Sequence, residues 1–384
     1  MKVAVLGYGT VGAGVYSMLS DAPGMEAGPV LVRPGKAVES FMVSDAALIF
    51  GDPTVDAVVE TLGGLDPAYS YGMRALEAGK HFITANKAMV ASHGLELAAL
   101  AREKGAAFLF SAACGGGVPF LHNLALSAET DRIEAVSGIL NGTTNYMLDA
   151  MQRRSLSYGD ALREAQSLGY AESDPTADVS GLDALRKMQL ACAVAFGVLP
   201  QSGMLCEGME HFTAADVEDI QSRGLVCRLM ARGSRAGESV SAYVEPVLFP
   251  RAAPESSVFT NNNMARYTGK RCGSIVLMGQ GAGRFPTASA VLRDLSAAQL
   301  GARSMFPENC RAAEADNREA VHSYYIRTGG FAAVRLPLRS VLAQGEVVRA
   351  VTEPMSAEKM HALAQNIRKD GNDLFFAALE EELC

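Results

Sequence analysis

The sequence predicts an α/β protein with a doubly wound parallel sheet in its first part, followed by an α+β domain and a short tail. Two observations predict this fold. Over the first hundred residues, short apolar runs rich in β-branched residues alternate with longer helical patterns, as in a parallel sheet that is covered on both faces. A glycine-rich turn at residues 7–12 follows the first run and opens the first helical pattern, which favours a Rossmann-like nucleotide-binding domain.

The first predicted domain covers residues 1–118. Its apolar runs predict strands at 2–6, 29–33, 56–60, 81–84 and 106–110, and the patterns between them predict helices at 10–20, 66–79 and 92–104. The last two helices end at Gly79 and Gly105, each followed closely by a new strand, as expected of glycine at a helix C-terminus.

The alternation of strand and helix patterns ends at about residue 119. We expect a catalytic and dimerisation domain from there to residue 284. Its patterns predict helices at 119–128, 144–153, 157–168, 181–197 and 213–230, and strands at 132–139, 240–248 and 274–278. An Ala-rich helix at 287–300 is expected to return, within residues 285–305, to the first domain. Residues 310–384 predict a β-α-β tail with strands at 321–327 and 347–352, a helix at 356–369 and a last apolar run at 374–379.

Composition narrows the function classes. The chain has 384 residues, of which 49% are hydrophobic and 20% charged, so it can bury a large core and is not a disordered protein. Its net charge of −8 gives no overall attraction to nucleic acid or to an anionic membrane surface. A small-molecule substrate is therefore the expected partner.

The cysteines and the apolar runs predict a cytoplasmic protein. The seven cysteines stand singly, without a C-x-x-C pair, which is typical of free thiols in a reducing compartment: Cys114, Cys192, Cys206, Cys227, Cys272, Cys310 and Cys384. The longest strongly apolar run, 190–199, is half the length that crosses a bilayer. The N-terminus lacks the longer apolar core of a signal peptide.

The position of the glycine-rich turn, between a strand and a helix, favours binding of a dinucleotide. The alternative is an ordinary glycine turn without a ligand. Gly7 permits the tight turn, Gly9 lets backbone N–H groups approach a pyrophosphate, and Gly12 lets the helix pack closely on the strand. An acidic residue at the end of the second strand would bind the ribose hydroxyl of NAD, but Arg33 and Lys36 stand there. These cations favour NADP, unless both are solvated loop charges.

Two further segments are candidates for binding anions. Lys87 follows the strand at 81–84, at the carboxyl edge where such sheets bind ligands, although a lone lysine there is usually solvated. Asn141, Gly142, Thr143 and Thr144 lie between a strand and a helix, where hydroxyls and free N–H groups can hold a carboxylate. The alternative for this second segment is a plain helix cap.

The densest signal lies between Gly169 and Lys187, where four carboxylates precede one lysine: Glu172, Asp174, Asp178 and Asp183. Asp183 and Lys187 are four residues apart, hence on one face of a helix. A surface ion pair there would contribute only about 0.3–0.5 kcal/mol. The helix is apolar beyond its first turn, however, and a buried lysine beside a carboxylate can donate and accept protons. The upstream acids could bind an ammonium group.

These segments together resemble the homoserine dehydrogenase family, and the resemblance runs from Met1 to about residue 305. It rests on the glycine-rich turn and on further segments in the family's order: Val58 to Gly64, Gly79 to Lys87, Gly115 to Pro119, Gly138 to Tyr146, Gly169 to Lys187 and Gly281 to Thr287. The resemblance implies a reversible NAD(P)-dependent conversion of homoserine and aspartate 4-semialdehyde, usually by a homodimer, with a homotetramer as the other expected assembly.

The same resemblance implies roles for single residues. Lys187 would be the proton donor and Asp183 its partner. Glu172 and Asp178 would hold the substrate amine, and Thr143 with Gly142 would contact the amino acid. The implied cofactor contacts are Gly7, Gly9, Thr10, Val11, Gly12, Arg33 and Gly283, with Lys87 between cofactor and substrate.

Three departures from the family pattern modify these expectations. Ser111 stands where the family commonly has a Glu, so we expect no metal beyond a weakly held monovalent cation at the carbonyls of Cys114, Gly116 and Val118. The segment before Arg33 is short, which leaves NAD possible. The tail resembles the entry and the second half of an ACT module, but residues 328–346 are too few for the missing helix and strand. Weak or absent feedback by threonine is therefore expected.

Two rival functions remain open at this point. One is a paralogue that binds cofactor or an amino acid without catalysis, and the other is a different amino-acid dehydrogenase on the same scaffold. The first is suggested by Ser111 and the reduced tail, whereas the presence of Glu172, Asp183 and Lys187 favours an enzyme.

Overall fold

A computed structural model describes residues 1–333 and 335–380. The strands are β1 (Lys2–Leu6), β2 (Glu26–Leu31), β3 (Met42–Val43), β4 (Ala57–Glu60), β5 (His81–Thr84), β6 (Phe108–Leu109), β7 (Ile133–Ile139), β8 (Val198–Ser202), β9 (Leu205–Cys206), β10 (Leu225–Ala236), β11 (Ser239–Pro250), β12 (Asn262–Gly269), β13 (Gly273–Gln280), β14 (Arg311–Glu314), β15 (Val321–His322), β16 (Tyr324–Gly329), β17 (Leu338–Ala343), β18 (Val347–Thr352), β19 (Met355–Ser356) and β20 (Leu374–Leu379).

The helices are α1 (Thr10–Leu19), α2 (Ala47–Phe50), α3 (Ala68–Glu77), α4 (Lys87–Lys104), α5 (Phe120–Thr130), α6 (Gly142–Arg154), α7 (Tyr158–Ser167), α8 (Thr176–Val179), α9 (Leu182–Phe196), α10 (Ala214–Ser222), α11 (Arg284–Gln299), α12 (Gly330–Ala333) and α13 (Ala357–Lys369). Among the residues that the structure describes, no helix is long and apolar enough to span a bilayer.

The first compact unit comprises Met1–Ile133, Gln189–Leu199 and Gly269–Arg311. Its parallel six-stranded sheet has the order β3-β2-β1-β4-β5-β6. The side chains of β1 from Val3 to Leu6 are completely buried, because a parallel sheet is covered on both faces. The order reverses between β1 and β4, and ligands bind such sheets at the carboxyl ends of the strands beside this reversal. The predicted doubly wound fold is confirmed.

Helix α11 packs on α1 in this unit. A Cβ atom on Gly14 of α1 would lie only 2.9 Å from the Arg284 carbonyl oxygen and 3.2 Å from the Ala288 Cβ atom. The glycine therefore permits an approach of the two helices that a larger residue would prevent. Residues 119–133 and 269–284 also belong to this unit, which is built from three segments of the chain.

The second compact unit comprises the described residues of 134–188, 200–268 and 312–384. Its sheet contains the sequence β12-β7-β10-β11-β20-β16-β18-β17, with β9 beside β11. The long hairpin of β10 and β11 runs in unbroken register from Leu225 opposite Pro250 to Ala236 opposite Ser239. The predicted helix at 213–230 is wrong over its second half, because α10 ends at Ser222 and the chain turns at Gly224, whose φ is +77°, into β10.

The tail belongs to the same sheet and has more strands than predicted. β16 pairs antiparallel with β18 and β20, and β17 pairs with β18. The β-α-β prediction missed α12 and β17, because six residues between Pro337 and Gly345 suffice for a strand. β20 pairs parallel with β11, and α13 covers the sheet with apolar side chains including Met360, Ala364 and Ile367.

Candidate active site

The turn between β1 and α1 has the geometry that its glycines predict. Gly7 has a φ of +98°, a left-handed conformation that favours glycine. A Cβ atom on Gly12 would lie 2.1 Å from the Gly7 carbonyl oxygen, whereas one on Gly9 would meet nothing within 4 Å. Gly9 therefore faces open space at the start of α1, with Thr10 and Val11 in the first helical turn.

A cleft of about 1060 Å³ opens beside this turn. Its lining includes Gly7, Gly9, Arg33, Lys36 and Thr61. The positive φ at Gly7, the open space at Gly9 and the size of the cleft fit a dinucleotide, whose phosphates would face the N-terminus of α1. Arg33 and Lys36 are exposed side chains of this lining, which also contains the carboxylate of Glu39.

A buried carboxylate shapes the next loop of the cleft. Glu60, at the end of β4, is fully buried and accepts hydrogen bonds from the backbone N–H groups of Leu62 and Gly63, at 2.6 and 3.2 Å. Its other oxygen accepts the Thr84 hydroxyl at 2.6 Å. Sequence reasoning placed Glu60 in a family segment but gave it no role.

Lys87 is the first residue of α4, at the carboxyl end of β5. Asn86 caps this helix by accepting the Met89 N–H at 3.2 Å, and it donates to the Gly64 carbonyl at 2.6 Å. The cap fixes the backbone at Lys87 relative to the loop that Glu60 holds. Gly283, with a φ of +124°, is likewise a helix N-cap, of α11.

The substrate residues predicted in the second unit meet around Asn141. The side-chain amide of Asn141 donates to Asp178 Oδ1 at 2.7 Å and to Asp183 Oδ2 at 2.9 Å. Its carbonyl oxygen accepts the Thr144 N–H at 2.8 Å, so the same side chain caps α6. Both interpretations of this polar segment, as a helix cap and as part of the site, therefore apply to Asn141.

Lys187 and Asp183 form the ion pair that their spacing predicts. Lys187 Nζ donates to Asp183 Oδ2 at 2.7 Å and to the Leu140 carbonyl oxygen at 2.6 Å. The two side chains are only 13% and 12% exposed, so this pair is not a solvated surface pair. The contact with Leu140 was not foreseen, because a backbone carbonyl 47 positions away has no sequence signature.

Asp178 lies beside this pair, in a partly buried position. Burial raises the pKa of its carboxyl, and the nearby charge of Asp183 adds to the rise, while the hydrogen bond from Asn141 opposes it. The Thr143 hydroxyl lies 2.6 Å from the Tyr170 carbonyl oxygen and 3.2 Å from Asp178 Oδ2, and it donates to one or the other. Gly142 opens α6 just before it.

Glu172 is not brought into this cluster. Its side chain is exposed in the loop before α8, and its backbone carbonyl accepts the Gln166 side chain at 3.1 Å. Asp174, in the same loop, accepts the Thr176 N–H and hydroxyl just before α8. Of the upstream acids, Asp178 is therefore the one that the structure places at Asn141 and Thr143.

Ser111 is buried against a carboxylate from α11. Its backbone N–H and its hydroxyl donate to the two oxygens of Asp294, at 2.7 and 2.6 Å. Burial raises the pKa of Asp294 to about 7. Near Ser111, Gly115 and Gly116 have positive φ values, and the Val118 carbonyl accepts the Phe120 N–H at 2.7 Å. Over the described residues, no group of three His, Cys, Asp or Glu side chains is placed to bind a metal ion.

Comparison with known proteins identifies relatives of this chain. The family model described as the NAD-binding domain of homoserine dehydrogenase matches residues 7–111, and the one described as homoserine dehydrogenase matches residues 119–296. The homoserine dehydrogenase of Synechocystis sp. is 37% identical over 319 residues, which are 77% of this chain and 72% of that protein. The homoserine dehydrogenase of Corynebacterium glutamicum is 38% identical over 314 residues, 76% of this chain and 70% of that protein.

A solved structure has a similar fold over nearly the whole chain. The crystal structure of a homoserine dehydrogenase from Thiobacillus denitrificans is 29% identical and has a TM-score of 0.87. The match covers 99% of this chain and 98% of that one, so it includes the tail.

Proposed function

The chain belongs to the homoserine dehydrogenase family, and we propose that in its reaction Lys187 carries the proton and Asp178 binds the substrate amine. The protein is thus an NAD(P)-dependent oxidoreductase that interconverts homoserine and aspartate 4-semialdehyde. One observation carries the residue roles: Asn141 joins Asp178 to Asp183, and Asp183 holds the ammonium of Lys187.

The nicotinamide dinucleotide, when bound, supplies the hydride to the aldehyde carbon or accepts it from the alcohol. Gly7, Gly9 and Gly12 would hold its phosphates at the start of α1, because the turn leaves open space at Gly9. The other proposed contacts are Thr10, Val11, Lys87 and Gly283. The protein's own part is to bind, to orient and to move the proton.

Lys187 is suited to this proton transfer. As the aldehyde is reduced, negative charge develops on its oxygen, and a nearby ammonium both stabilises that charge and donates the proton. In the reverse direction the neutral amine takes the proton from the homoserine hydroxyl. Asp183 and the Leu140 carbonyl fix the position of Nζ, so the side chain loses little freedom when substrate binds.

Asp178 supplies the negative charge for the ammonium group of the substrate. Asn141 donates to one oxygen of Asp178 at 2.7 Å, and the Thr143 hydroxyl lies 3.2 Å from the other. A carboxylate positioned in this way can receive a charge-assisted hydrogen bond without rearranging. The N-terminus of α6, at Gly142 and Thr143, offers backbone N–H groups to the substrate carboxylate. Glu172 is proposed as a second amine contact on the family resemblance alone, since its side chain lies in the exposed loop.

We further propose that NADP is the preferred cofactor. Arg33 and Lys36 line the cleft beyond β2, where a 2′-phosphate would find two cations. Glu39 lies in the same lining and opposes them. Two cations against one carboxylate leave a net attraction for the extra phosphate.

A spectrophotometric assay tests the proposal directly. Purified protein is mixed with aspartate 4-semialdehyde and NADPH, and the loss of NADPH absorbance is recorded for the wild type and for Asp178→Asn. We expect turnover by the wild type and a KM for aspartate 4-semialdehyde at least tenfold higher in the variant, because the amide carries no charge. An unchanged KM in Asp178→Asn would refute the amine-binding role.

A further inference from the structure

A short segment of the second unit lies directly behind the residues that carry Asp178 and Asp183. We name residues 205–212 the backing segment. The Met209 N–H donates to the Val179 carbonyl at 2.9 Å, and the Cys206 thiol donates to the Ser180 carbonyl at 3.0 Å. A Cβ atom on Gly208 would lie 2.3 Å from the Val179 carbonyl oxygen. The two stretches of chain therefore touch through their backbones, and one cannot shift without the other.

The tail holds the first half of the backing segment through one ion pair. Arg368, on α13, donates from its two terminal nitrogens to the two carboxylate oxygens of Glu207, at 2.9 and 2.7 Å. The side chains are 21% and 10% exposed. Arg368 also donates to the Leu374 carbonyl at 2.7 Å, which fixes the guanidinium to the tail itself. Such a paired, partly buried geometry is the strong form of an ion pair.

The tail holds the second half of the segment as well. Arg327, on β16, donates to the His211 carbonyl oxygen at 2.8 Å and to the buried carboxylate of Asp216 at 2.7 Å. The rings of Phe212 and Phe375 lie 5.2 Å apart. Both ends of the backing segment are thus attached to the tail.

We propose that Arg368 is a positioning residue for the substrate pocket. Through Glu207 it fixes the backing segment, and the segment fixes the backbone at Val179 and Ser180, between Asp178 and Asp183. This inference rests on the proposed role of Asp178 in binding the substrate amine. It gives the tail a part in substrate affinity that is independent of any bound effector.

Loss of Arg368 would leave the Glu207 carboxylate without its partner in a nearly buried position. A buried carboxylate without a cation is unfavourable, so the side chain would turn towards water and draw the backing segment with it. Displacement of Val179 and Ser180 would move Asp178 away from Asn141. The cofactor cleft, which is formed by residues of the first unit, would be unaffected.

Steady-state kinetics of Arg368→Gln test the proposal. We expect the KM for homoserine to rise at least fivefold and the KM for NADP to stay within twofold of the wild type. Arg335→Gln is the matched control, because Arg335 forms an exposed ion pair with Asp370 inside the tail and lies outside the backing segment. We expect it to leave both constants within twofold.

Several outcomes would overturn the proposal. A folded Arg368→Gln protein with an unchanged homoserine KM would do so, as would an equal rise of both KM values or an equal effect of Arg335→Gln. Asp178→Asn, measured in parallel, separates this failure from that of the proposed function: if it raises the homoserine KM and Arg368→Gln does not, only the positioning role is wrong. If Asp178→Asn leaves that KM unchanged, the amine-binding role is wrong.

Two further variants keep the test decisive if Arg368→Gln does not fold. Glu207→Gln keeps the shape of the side chain but removes its charge, and we expect a smaller rise of the homoserine KM, about threefold. Gly208→Ala places a methyl group against the Val179 carbonyl without touching the tail, and we expect the same selective rise. Unchanged homoserine KM values in both variants would contradict the proposal.

Discussion

Asn141 allows two carboxylates to share one small site. Asp178 and Asp183 repel each other, and each needs donors to remain ionised in a partly buried position. The two amide hydrogens of Asn141 serve one oxygen of each, while Lys187 neutralises Asp183. In the proposed reaction, Asp178 is the carboxylate that attracts the positive charge of the substrate.

Asp294 makes the stability of the folded protein depend on pH. Burial raises its pKa to about 7, whereas an unfolded carboxyl titrates near 3.9. The folded state therefore keeps a proton that the unfolded state releases. The stability from this group is complete below about pH 4 and is lost as the pH rises through about 7.

Asp294→Asn should remove this dependence, since an amide does not titrate and can still accept the Ser111 N–H. We expect the Tm of the variant, measured relative to the wild type, to rise between pH 5 and pH 8. Thermal melts over this range check it. Two Tm profiles that run parallel would show that Asp294 does not titrate there.

The proposed preference for NADP can be tested at Arg33. Arg33→Ala should lower kcat/KM for NADP by roughly 10- to 100-fold, because a guanidinium contact with a phosphate is worth about 1.5–3 kcal/mol. The value for NAD should change less than twofold. Kinetics with both cofactors decide it, and a variant that retains the NADP preference of the wild type would exclude Arg33 from this role.

Contacts between the candidate site residues were predictable from the sequence where both partners lie close together along the chain. Asp183 and Lys187 are one helical turn apart, so their contact follows from helix geometry. Asn141 meets Asp178 and Asp183 across 37 and 42 positions, and Ser111 meets Asp294 across 183. Such contacts depend on the completed fold, which a pattern along the chain does not contain.

In the turn from β1 to α1, Gly12 and Gly9 serve different purposes. Gly12 is needed for packing, since a Cβ atom there would meet the Gly7 carbonyl, whereas Gly9 borders open space. Gly12→Ala should therefore lower both Tm and cofactor affinity. Gly9→Ala should lower cofactor affinity alone, because its methyl group would point towards the bound phosphates.

Thermal melts and NADPH fluorescence titrations of the two variants check this difference. We expect the Tm of Gly9→Ala within about 2 °C of the wild type, and a loss of several degrees for Gly12→Ala. The assignment of the turn would be wrong if Gly9→Ala bound NADPH as tightly as the wild type.

The strands of the parallel sheet were predictable, whereas the hairpin of β10 and β11 was only half predicted. β1, β4 and β5 are continuous apolar runs, which their burial on two faces requires. The residues of β10 include Leu, Met, Ala and Arg, which favour helices in isolation. Their pairing with β11 and β7 overrides this preference, and such pairing is not local in the sequence.

At the scale of the whole molecule, the tail is part of the core of the second unit. Tyr324, Ile326 and Phe376 of the tail share one buried cluster with Met230 and Phe249 of the hairpin. The prediction of a reduced tail rested on a missing helix and strand, but β17 is present and α12 is a single turn. The prediction of weak feedback by threonine, which depended on a missing helix and strand, is therefore less well supported.

A chain that ends at residue 320 should not fold. Each large apolar side chain that the tail buries contributes about 1.5–3 kcal/mol, and the three named above together approach the 5–15 kcal/mol that stabilises a typical domain. Expression of residues 1–320, followed by circular dichroism and an activity assay, checks it. A soluble, cooperatively melting and active product would show that the tail is dispensable.

Substitutions at Lys187 and Asp183, singly and together, test the proposed proton transfer. Lys187→Ala should lower kcat by roughly 10²–10⁴-fold, the usual effect of losing a general acid. Asp183→Ala should also lower kcat. The double variant should be little worse than Lys187→Ala, because residues that act as a unit are not additive.

The most direct measurement is the single-turnover rate of aspartate 4-semialdehyde reduction by Lys187→Ala saturated with NADPH. Arg186→Ala, which removes the neighbouring exposed cation, is the control and should react at nearly the wild-type rate. We expect Lys187→Ala to bind NADPH with unchanged affinity and to react at least a hundredfold more slowly. A folded Lys187→Ala protein that binds NADPH and reacts within a few-fold of the wild-type rate would contradict it.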